Sequence, residues 1–292
     1  MPDAELSEPT LSSTHRPGAQ AVGLLRRHIT AALDHLAGPR PSGARIHAAR
    51  KELKRSRATL RLMREAIDPG HFGEADAALR GAARQLNDAR DADVLLRAFK
   101  RLRDAFEESK TPAALEPLRK LLQDERRTAA ASMSRERLQA IKLLLRTCKQ
   151  HTYEWSVAND VDLLTAGMQR TYRKARQGYR AAREAPSDER LHAWRRQLKY
   201  CAYQLETIRS VSAGKSAKRL HACTQVADVL GKDHDLALLR ERAAAADLEA
   251  SSALHVADEI RRERAKLQRR ALRLGARLYR VKVRQFEPLR RH

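Results

Sequence analysis

A short segment occurs twice in this chain, and its second copy begins 145 residues after the first. Residues 46–54 read Ile-His-Ala-Ala-Arg-Lys-Glu-Leu-Lys, and residues 191–199 read Leu-His-Ala-Trp-Arg-Arg-Gln-Leu-Lys. Because an α-helix turns by about 100° per residue, the histidine and the cations that follow it share one helix face in each copy. In the first copy a separate face carries the apolar residues Ile46, Leu53, Leu60 and Ile67. Each copy therefore predicts a helix that buries one side and presents a row of positive charge.

A second landmark supports an internal duplication. Residues 86–94 read Leu-Asn-Asp-Ala-Arg-Asp-Ala-Asp-Val, residues 230–238 read Leu-Gly-Lys-Asp-His-Asp-Leu-Ala-Leu, and Asp91 lies 144 residues before Asp235. A period near half the chain length favours two similar halves that pack as one body. We therefore expect an N-terminal disordered tail over 1–18, a first half over 19–157 and a second half over 158–287.

The composition and the spacing of apolar residues predict an all-α fold. Aromatic residues make up only 4% of the chain, and Gly and Pro number 12 and 10. Long stretches follow the helical period of about 3.6 residues. Ser42 is positioned to cap the first motif helix, and Ser187 or Asp188 the second. A further helical stretch begins at Gly73, and the other predicted helices cover about 20–37, 112–128, 134–155, 160–184 and 251–286.

The charge balance predicts a polyanionic partner. The chain has 59 Lys and Arg against 36 Asp and Glu, a formal net charge of +23. Nucleic acid, an anionic membrane and inorganic polyphosphate all fit such an excess. No apolar run approaches the roughly 20 residues that a membrane helix requires, so we expect no membrane insertion. The three cysteines form no close pair and the first 18 residues do not resemble a signal peptide, which favours a cytoplasmic protein.

The two positive faces supply the candidate contacts with a polyanion. Arginine binds phosphate through two parallel N–H bonds, lysine provides a mobile charge, and an imidazole donates an N–H to a phosphate oxygen. The motif helices carry these groups at His47, Arg50, Lys51, Lys54, Arg61, His192, Arg195, Arg196 and Lys199. Positions on other predicted helices add Arg27, Lys142, Arg146, Tyr172, Arg173, Arg176, Arg273, Arg277 and Arg280. The alternative for any single row is a solvated helix face.

Aspartates near the second landmark allow a different chemistry. They are interpreted either as metal ligands or, as we favour, as partners of neighbouring arginines and helix caps: Asp88, Asp91, Asp93, Asp233 and Asp235. His234 and Asp235 are similar to the His-Asp pair of metal-dependent phosphohydrolases, but the first half has Arg90 at the histidine position, and arginine does not ligate a metal. No P-loop, nucleophile elbow or zinc spacing occurs in the sequence. We therefore expect no metal, no cofactor and no catalytic residue.

This combination of motifs resembles the CHAD family, α-helical domains named after their histidines and associated with inorganic polyphosphate binding. His-x-x-Arg-x-x-x-Lys occurs at His47 and again at His192, and Leu-x-x-x-Arg-Asp-x-Asp-Val occurs at 86–94. The resemblance covers nearly all of the chain after the tail. It implies two pseudo-symmetric four-helix-bundle halves packed as one helical body around a basic central pore or groove in which the anion lies. It also adds Arg57, which matches the Lys-Arg-x-Arg continuation of the first motif, and Arg90.

The second half departs from the family pattern. After Lys199 the sequence continues with Tyr200, Cys201 and Ala202 in place of basic residues, and Glu206 stands where the first half has Arg61. We therefore expect phosphate contacts from this part of the second half to be weaker, or to be compensated by Tyr172, Arg173, Arg176 and the arginines from Arg273 to Arg284.

From these features we expect a non-enzymatic protein that binds inorganic polyphosphate through a basic pore lined by His, Arg and Lys and that associates with polyphosphate granules. The first alternative is a metal-dependent phosphohydrolase acting on polyphosphate or another phosphorylated substrate. The second is a nucleic-acid-binding protein, which the scarcity of aromatic residues for base stacking disfavours.

Overall fold

The structure is a computed structural model of the chain. It describes residues 10–13, 15–86, 88–106, 115–131, 133–212, 216–283 and 286. Within these ranges, only the backbone is described for 88–93, 105–106 and 129–131.

The described part of the chain is all-α, as predicted. Its ten α-helices are α1 (Pro17–His35), α2 (Gly43–Leu62), α3 (Pro69–Gln85), α4 (Asp88–Phe106), α5 (Glu116–Ala131), α6 (Arg135–His151), α7 (Val161–Glu184), α8 (Asp188–Thr207), α9 (Ser216–Ala245) and α10 (Ala250–Leu278). Short 3-10 turns follow α6 at Thr152–Glu154 and α8 at Arg209–Val211. In the described ranges, no helix has the length and apolar content that crossing a membrane requires.

The start signals of the two motif helices are confirmed. The Ser42 hydroxyl accepts a hydrogen bond from the backbone N–H of Arg45 at 3.3 Å, and the Ser187 hydroxyl accepts one from Arg190 at 3.3 Å. Such caps satisfy N–H groups that have no partner within the first helical turn. The two helices that follow, α2 and α8, are both 20 residues long.

The apolar face predicted for the first motif helix is also confirmed, although the helix is shorter than that face. Ile46, Leu53 and Leu60 are all buried on α2. Ile67 is buried too, but it lies beyond the end of α2, in the connection to α3. The connection ends at Asp68, whose carboxylate accepts backbone N–H bonds and thereby caps α3.

The two motif helices pack against each other in opposite directions. Arg55 lies 3.5 Å from Glu206, whereas Arg61 lies over the ring of Tyr200, so advancing along α2 means moving back along α8. The Gln204 amide at the centre of this contact donates to the carbonyl oxygen of Ala58 at 3.1 Å. The N-terminal ends of α2 and α8, which carry the two motif histidines, therefore lie at opposite ends of the contact.

Two hydrophobic clusters hold the helices together. The larger one draws on α1 to α3 and α6 to α10, and the indole of Trp194 is fully buried within it. The smaller one joins α4 and α5 to the C-terminal part of α9 and the N-terminal part of α10. The long helix α9 contributes to both clusters and so connects them.

The N-terminal segment differs from the expected tail over 1–18. Leu11 is 1% exposed, and its backbone N–H donates to the carbonyl oxygen of Thr207 at 2.8 Å. Residues 10–13 therefore lie on the helical body, because Leu11 completes the apolar surface beside the end of α8. α1 already begins at Pro17. Residues 1–9 lie outside the described residues.

The two predicted halves differ in how their helices are divided. Over the described ranges, the second half contains four helices, α7 to α10, whereas the first contains six. At the 144-residue offset of the duplication, α9 corresponds to α3 and α4 together. The predicted pseudo-symmetry, the central pore and the boundary between 157 and 158 stay predictions.

Candidate anion-binding cavity

A cavity of about 450 Å³ lies between the two motif helices and the helices that flank them. Its basic lining residues are Arg57 and Arg61 of α2, Arg64 in the turn after α2, Arg80 and Arg84 of α3, Arg170 and Lys174 of α7, and Arg196 of α8. These are eight of the thirteen lining residues, and the only acidic one among the thirteen is Asp76. Four helices therefore direct cations into one cavity.

Asp76 of α3 holds two of the arginines in place. Its Oδ1 accepts a hydrogen bond from Arg57 Nε at 3.0 Å and another from Arg61 Nη1 at 2.9 Å. Burial alone would raise the pKa of Asp76, but the hydrogen bond from Arg61 and the charges of both arginines bring this pKa below its usual value. Asp76 is therefore a carboxylate that neutralises only part of the cavity's positive charge.

Two aromatic rings support the guanidinium groups. The guanidinium carbon of Arg61 is 4.5 Å from the centroid of the Tyr200 ring, and that of Arg64 is 4.2 Å from the centroid of Phe72. These distances are within the range of cation–π attraction. Both rings are buried, so their faces serve to orient the arginines.

The crowding of like charges is seen in the pKa of Lys174. Burial lowers this pKa, and the positive charges of Arg64, Arg170, Arg61 and Arg196 lower it further. Glu65, which lies 2.6 Å from Arg170, compensates only part of this charge. An anion that entered the cavity would be attracted by the same field.

Three of the predicted contacts line this cavity, namely Arg57, Arg61 and Arg196. Both motif helices thus contribute to it. The other predicted residues of α2 lie elsewhere along the helix. Arg50 is 7% exposed and donates from Nη1 to the carbonyl oxygen of Ala83 on α3 at 3.3 Å. The remaining three are His47 and Lys51, which are exposed, and Lys54, which is half-buried.

The remaining predicted residues of α8 face α9. The rings of His192 and His234 are tilted against each other with their centroids 4.6 Å apart. The Arg195 guanidinium packs close to Gly231 of α9, because a Cβ added there would lie 3.3 Å from it. Lys199 Nζ lies 3.0 Å from Asp228 Oδ1 of α9. Burial lowers the pKa of His192, and the charges of Arg195 and Arg196 lower it further.

Two of the further candidates are occupied by structural contacts. Tyr172 is 2% exposed, stacks on Phe286 and donates its hydroxyl hydrogen toward the carbonyl oxygens of Leu278 and Val281. We therefore reassign Tyr172 from phosphate contact to core residue. Lys142 is also buried and donates to the carbonyl oxygen of Gly38 at 3.2 Å, which joins α6 to the end of α1.

Most of the other candidates are on the surface. Exposed side chains are those of Arg27, Arg146, Arg173, Arg273, Arg277 and Arg280. Arg176 is half-buried. The Arg90 side chain lies outside the described residues.

Five cavity residues were missed by the sequence interpretation: Arg64, Arg80, Arg84, Arg170 and Lys174. Arg80 and Arg84 form an i, i+4 pair on α3, and Arg170 and Lys174 form another on α7. This spacing was the available signal, but neither pair belongs to the repeated motif.

The aspartates of the second landmark pair with arginines where they are described. The Asp233 carboxylate is buried and accepts from Arg264 Nε at 3.0 Å, and Asp235 lies 3.6 Å from Arg101. Side chains of Asp88, Asp91 and Asp93 lie outside the described residues. In the part of the chain that the structure describes, no group of three or more His, Cys, Asp or Glu is arranged to hold a metal ion.

Comparison with known proteins gives the family of this chain. Two solved structures are similar to it: the CHAD domain from the plant Ricinus communis, and PptA from Streptomyces chartreusis. The first is 21% identical in sequence; the match covers 97% of this chain and 96% of the Ricinus chain, with a TM-score of 0.62. The second has 17% identity, 88% and 98% coverage, and a TM-score of 0.60.

At these identities the two structures support the fold alone. No curated protein matches the sequence. The model of the CHAD domain family matches residues 23–244, most of the chain's length. The chain therefore belongs to the CHAD domain family.

Proposed function

We propose that this protein binds inorganic polyphosphate, with the cavity between α2, α3, α7 and α8 as the central contact region. The observation that carries the proposal is the convergence of eight basic side chains and one carboxylate on a single cavity. Cations held this close repel one another, and a chain of phosphates would relieve that repulsion. The repeated His-x-x-Arg-x-x-x-Lys motif is similar to the motif of a family associated with polyphosphate, and this similarity favours the same ligand.

The chemistry of the lining suits a phosphate polymer without sequence. Arginine can bind each phosphate by two parallel N–H bonds, while Lys174 offers a mobile charge, so several registers of the chain are equivalent. Phe72 and Tyr200 have arginines over their faces and offer little surface for stacking nucleic-acid bases. These features favour polyphosphate over single-stranded nucleic acid.

The proposed role is binding without turnover, and association with polyphosphate granules would follow from it. The one carboxylate in the cavity lining, Asp76, is engaged by Arg57 and Arg61, as expected for a residue that orders cations. A metal-dependent phosphohydrolase acting on polyphosphate is the alternative. Release of orthophosphate from long-chain polyphosphate with magnesium present would support that alternative and contradict the proposal.

The double variant Arg84→Gln/Arg196→Gln tests the cavity. Both arginines are exposed, line the cavity and have no carboxylate within ion-pair distance among the described residues, so their replacement leaves no buried charge unpaired. We expect binding of long-chain polyphosphate to weaken by about 1.5 to 3 kcal/mol for each charged hydrogen bond lost. Isothermal titration calorimetry at fixed ionic strength measures this change.

The matched control is Arg127→Gln/Arg135→Gln, which removes the same charge from exposed positions on α5 and α6 that do not line the cavity. It should bind polyphosphate nearly as the wild type does. Equal weakening of the two double variants would indicate a nonspecific charge effect and contradict the cavity assignment. Titrations with single-stranded and duplex nucleic acid at the same ionic strength complete the test, because equal affinity for all three polymers would also contradict the proposal.

A further inference from the structure

A second basic surface lies on the last helix, outside the cavity. Five exposed arginines occupy the C-terminal part of α10 and the turn after it: Arg269, Arg270, Arg273, Arg277 and Arg280. At about 100° per residue, the four arginines on α10 share an arc of about 100° opposite the buried residues Ala271, Gly275 and Leu278. From Arg269 to Arg277 this arginine face runs for about 12 Å.

The arginine face differs from the N-terminal part of the same helix in its charge balance. There, Arg261 lies 2.9 Å from Asp258, Arg262 lies 3.6 Å from Glu259, and Lys266 lies 2.6 Å from Glu263, each three residues away. None of the five arginines of the face has a carboxylate within ion-pair distance among the residues that the structure describes. Like charges on successive turns destabilise a helix, so this face retains a repulsion that a bound anion would remove.

The arginine face is separated from the cavity by α7. Arg170 and Lys174 of α7 line the cavity, whereas Tyr172, on the other side of α7, contacts the carbonyl oxygen of Leu278 at the end of α10. The arc of α7 between these two sides faces outward and carries further basic residues: Arg173, Arg176 and Arg180. The outward face of α7 therefore carries positive charge between the cavity and α10.

We infer that the arginine face of α10 is a second polyphosphate-binding surface, which a long chain contacts in addition to the cavity and a short one does not. This inference rests on the proposed function. The face lies outside residues 23–244, the part of the chain that matches the CHAD family model. Its exposed side chains from 269 to 280 are arginines and Ala276, with no aromatic ring for stacking a base, which favours polyphosphate over nucleic acid.

The physical basis of the length dependence is effective concentration. Once one part of a long chain is held in the cavity, a neighbouring part meets α10 without a further loss of translational freedom. Tripolyphosphate has too few phosphates to engage both regions at once. Affinity should therefore rise with chain length more steeply than the cavity alone would produce.

The triple variant Arg269→Gln/Arg273→Gln/Arg277→Gln tests this inference. Its matched control is Arg261→Gln/Arg262→Gln/Lys266→Gln, which removes the same charge from exposed positions of the same helix. We expect the first variant to bind long-chain polyphosphate about tenfold more weakly than the control and to show a slope of log Kd against log salt smaller by about 2, as for three lost phosphate contacts. Both variants should bind tripolyphosphate as the wild type does.

Equal affinity of the two triple variants for long-chain polyphosphate would overturn the inference, as would a larger loss of affinity for single-stranded nucleic acid than for polyphosphate. Thermal unfolding of both variants verifies that they are folded. The Arg84→Gln/Arg196→Gln variant, titrated in parallel, separates this inference from the proposed function. If that variant binds tripolyphosphate normally while the α10 variant loses long-chain binding, the cavity assignment fails and the α10 surface stands.

Discussion

At the scale of single residues, we expect His192 to make anion binding depend on pH. Its pKa is lowered by burial and by the neighbouring Arg195 and Arg196, and the ring of His234 on α9 lies beside it. The pKa of His192 in the free protein therefore lies below the ordinary histidine value of 6.5. Phosphates near the ring would raise this pKa again, so the complex would hold more protons than the free protein.

We therefore expect polyphosphate affinity to increase as the pH falls through the pKa of His192 in the complex and to level off below its lowered pKa in the free protein. The variant His192→Asn, which cannot be protonated in this range, should show a flatter dependence. Calorimetric titrations at several pH values measure both, and subtracting the two profiles removes the titration of the ligand itself. Identical profiles for the two proteins would show that phosphate does not reach His192.

At the scale of helices, Gly167 fixes the distance between α2 and α7, two walls of the cavity. A Cβ at this position would overlap the carbonyl oxygen of Leu62 at the C-terminal end of α2. Because the obstruction is backbone, a side-chain rotation cannot remove it. The variant Gly167→Ala should lower the free energy of unfolding by about 1 to 3 kcal/mol, as overpacking does, and weaken polyphosphate binding as the walls separate.

Gly73 provides the control for this prediction. It lies within α3, and a Cβ there would meet no atom within 4 Å. Gly73→Ala should raise the free energy of unfolding by about 0.5 to 1 kcal/mol, because alanine loses less conformational entropy in a helix. Urea denaturation of both variants gives the comparison. A Gly167→Ala protein as stable as Gly73→Ala would mean that the two helices adjust freely.

The helices also indicate how far the sequence determines the site. Ser42 and Ser187 predicted the starts of α2 and α8 because capping is a local interaction, and Ile46 and Leu53 predicted the buried face from periodicity alone. The same periodicity grouped His47 with Arg61, yet His47 is exposed while Arg61 lines the cavity. Which neighbour a helix face meets depends on packing between distant segments. For this reason the cations supplied by α3 and α7 were not predictable from the repeat.

At the scale of the whole molecule, the two hydrophobic clusters predict two levels of stability. The smaller cluster, on α4, α5 and parts of α9 and α10, has far fewer buried residues than the larger one. Leu118 of α5 is fully buried within it. Leu118→Ala should lower the free energy of unfolding of the smaller cluster by about 2 to 5 kcal/mol and leave that of the larger cluster nearly unchanged.

Native-state hydrogen exchange measures this difference. In Leu118→Ala, amide exchange should accelerate in α4 and α5 while α1, α2, α7 and α8 keep their protection. Leu53→Ala, a fully buried position in the larger cluster, should accelerate exchange throughout the protein. Uniform acceleration in both variants would mean that the helices unfold as one cooperative unit.

The hydrogen bonds of Asp76 have a consequence for any ligand of the cavity. The Asp76 carboxylate stands where a phosphate oxygen could accept from Arg57 and Arg61. A ligand phosphate that binds these two arginines would have to displace the Asp76 carboxylate. The measured affinity would then reflect the difference in free energy between the two interactions. Asp76 thus occupies the place of a ligand oxygen and holds the two arginines in position. It also allows a bound ligand to dissociate, because the carboxylate can take its place again.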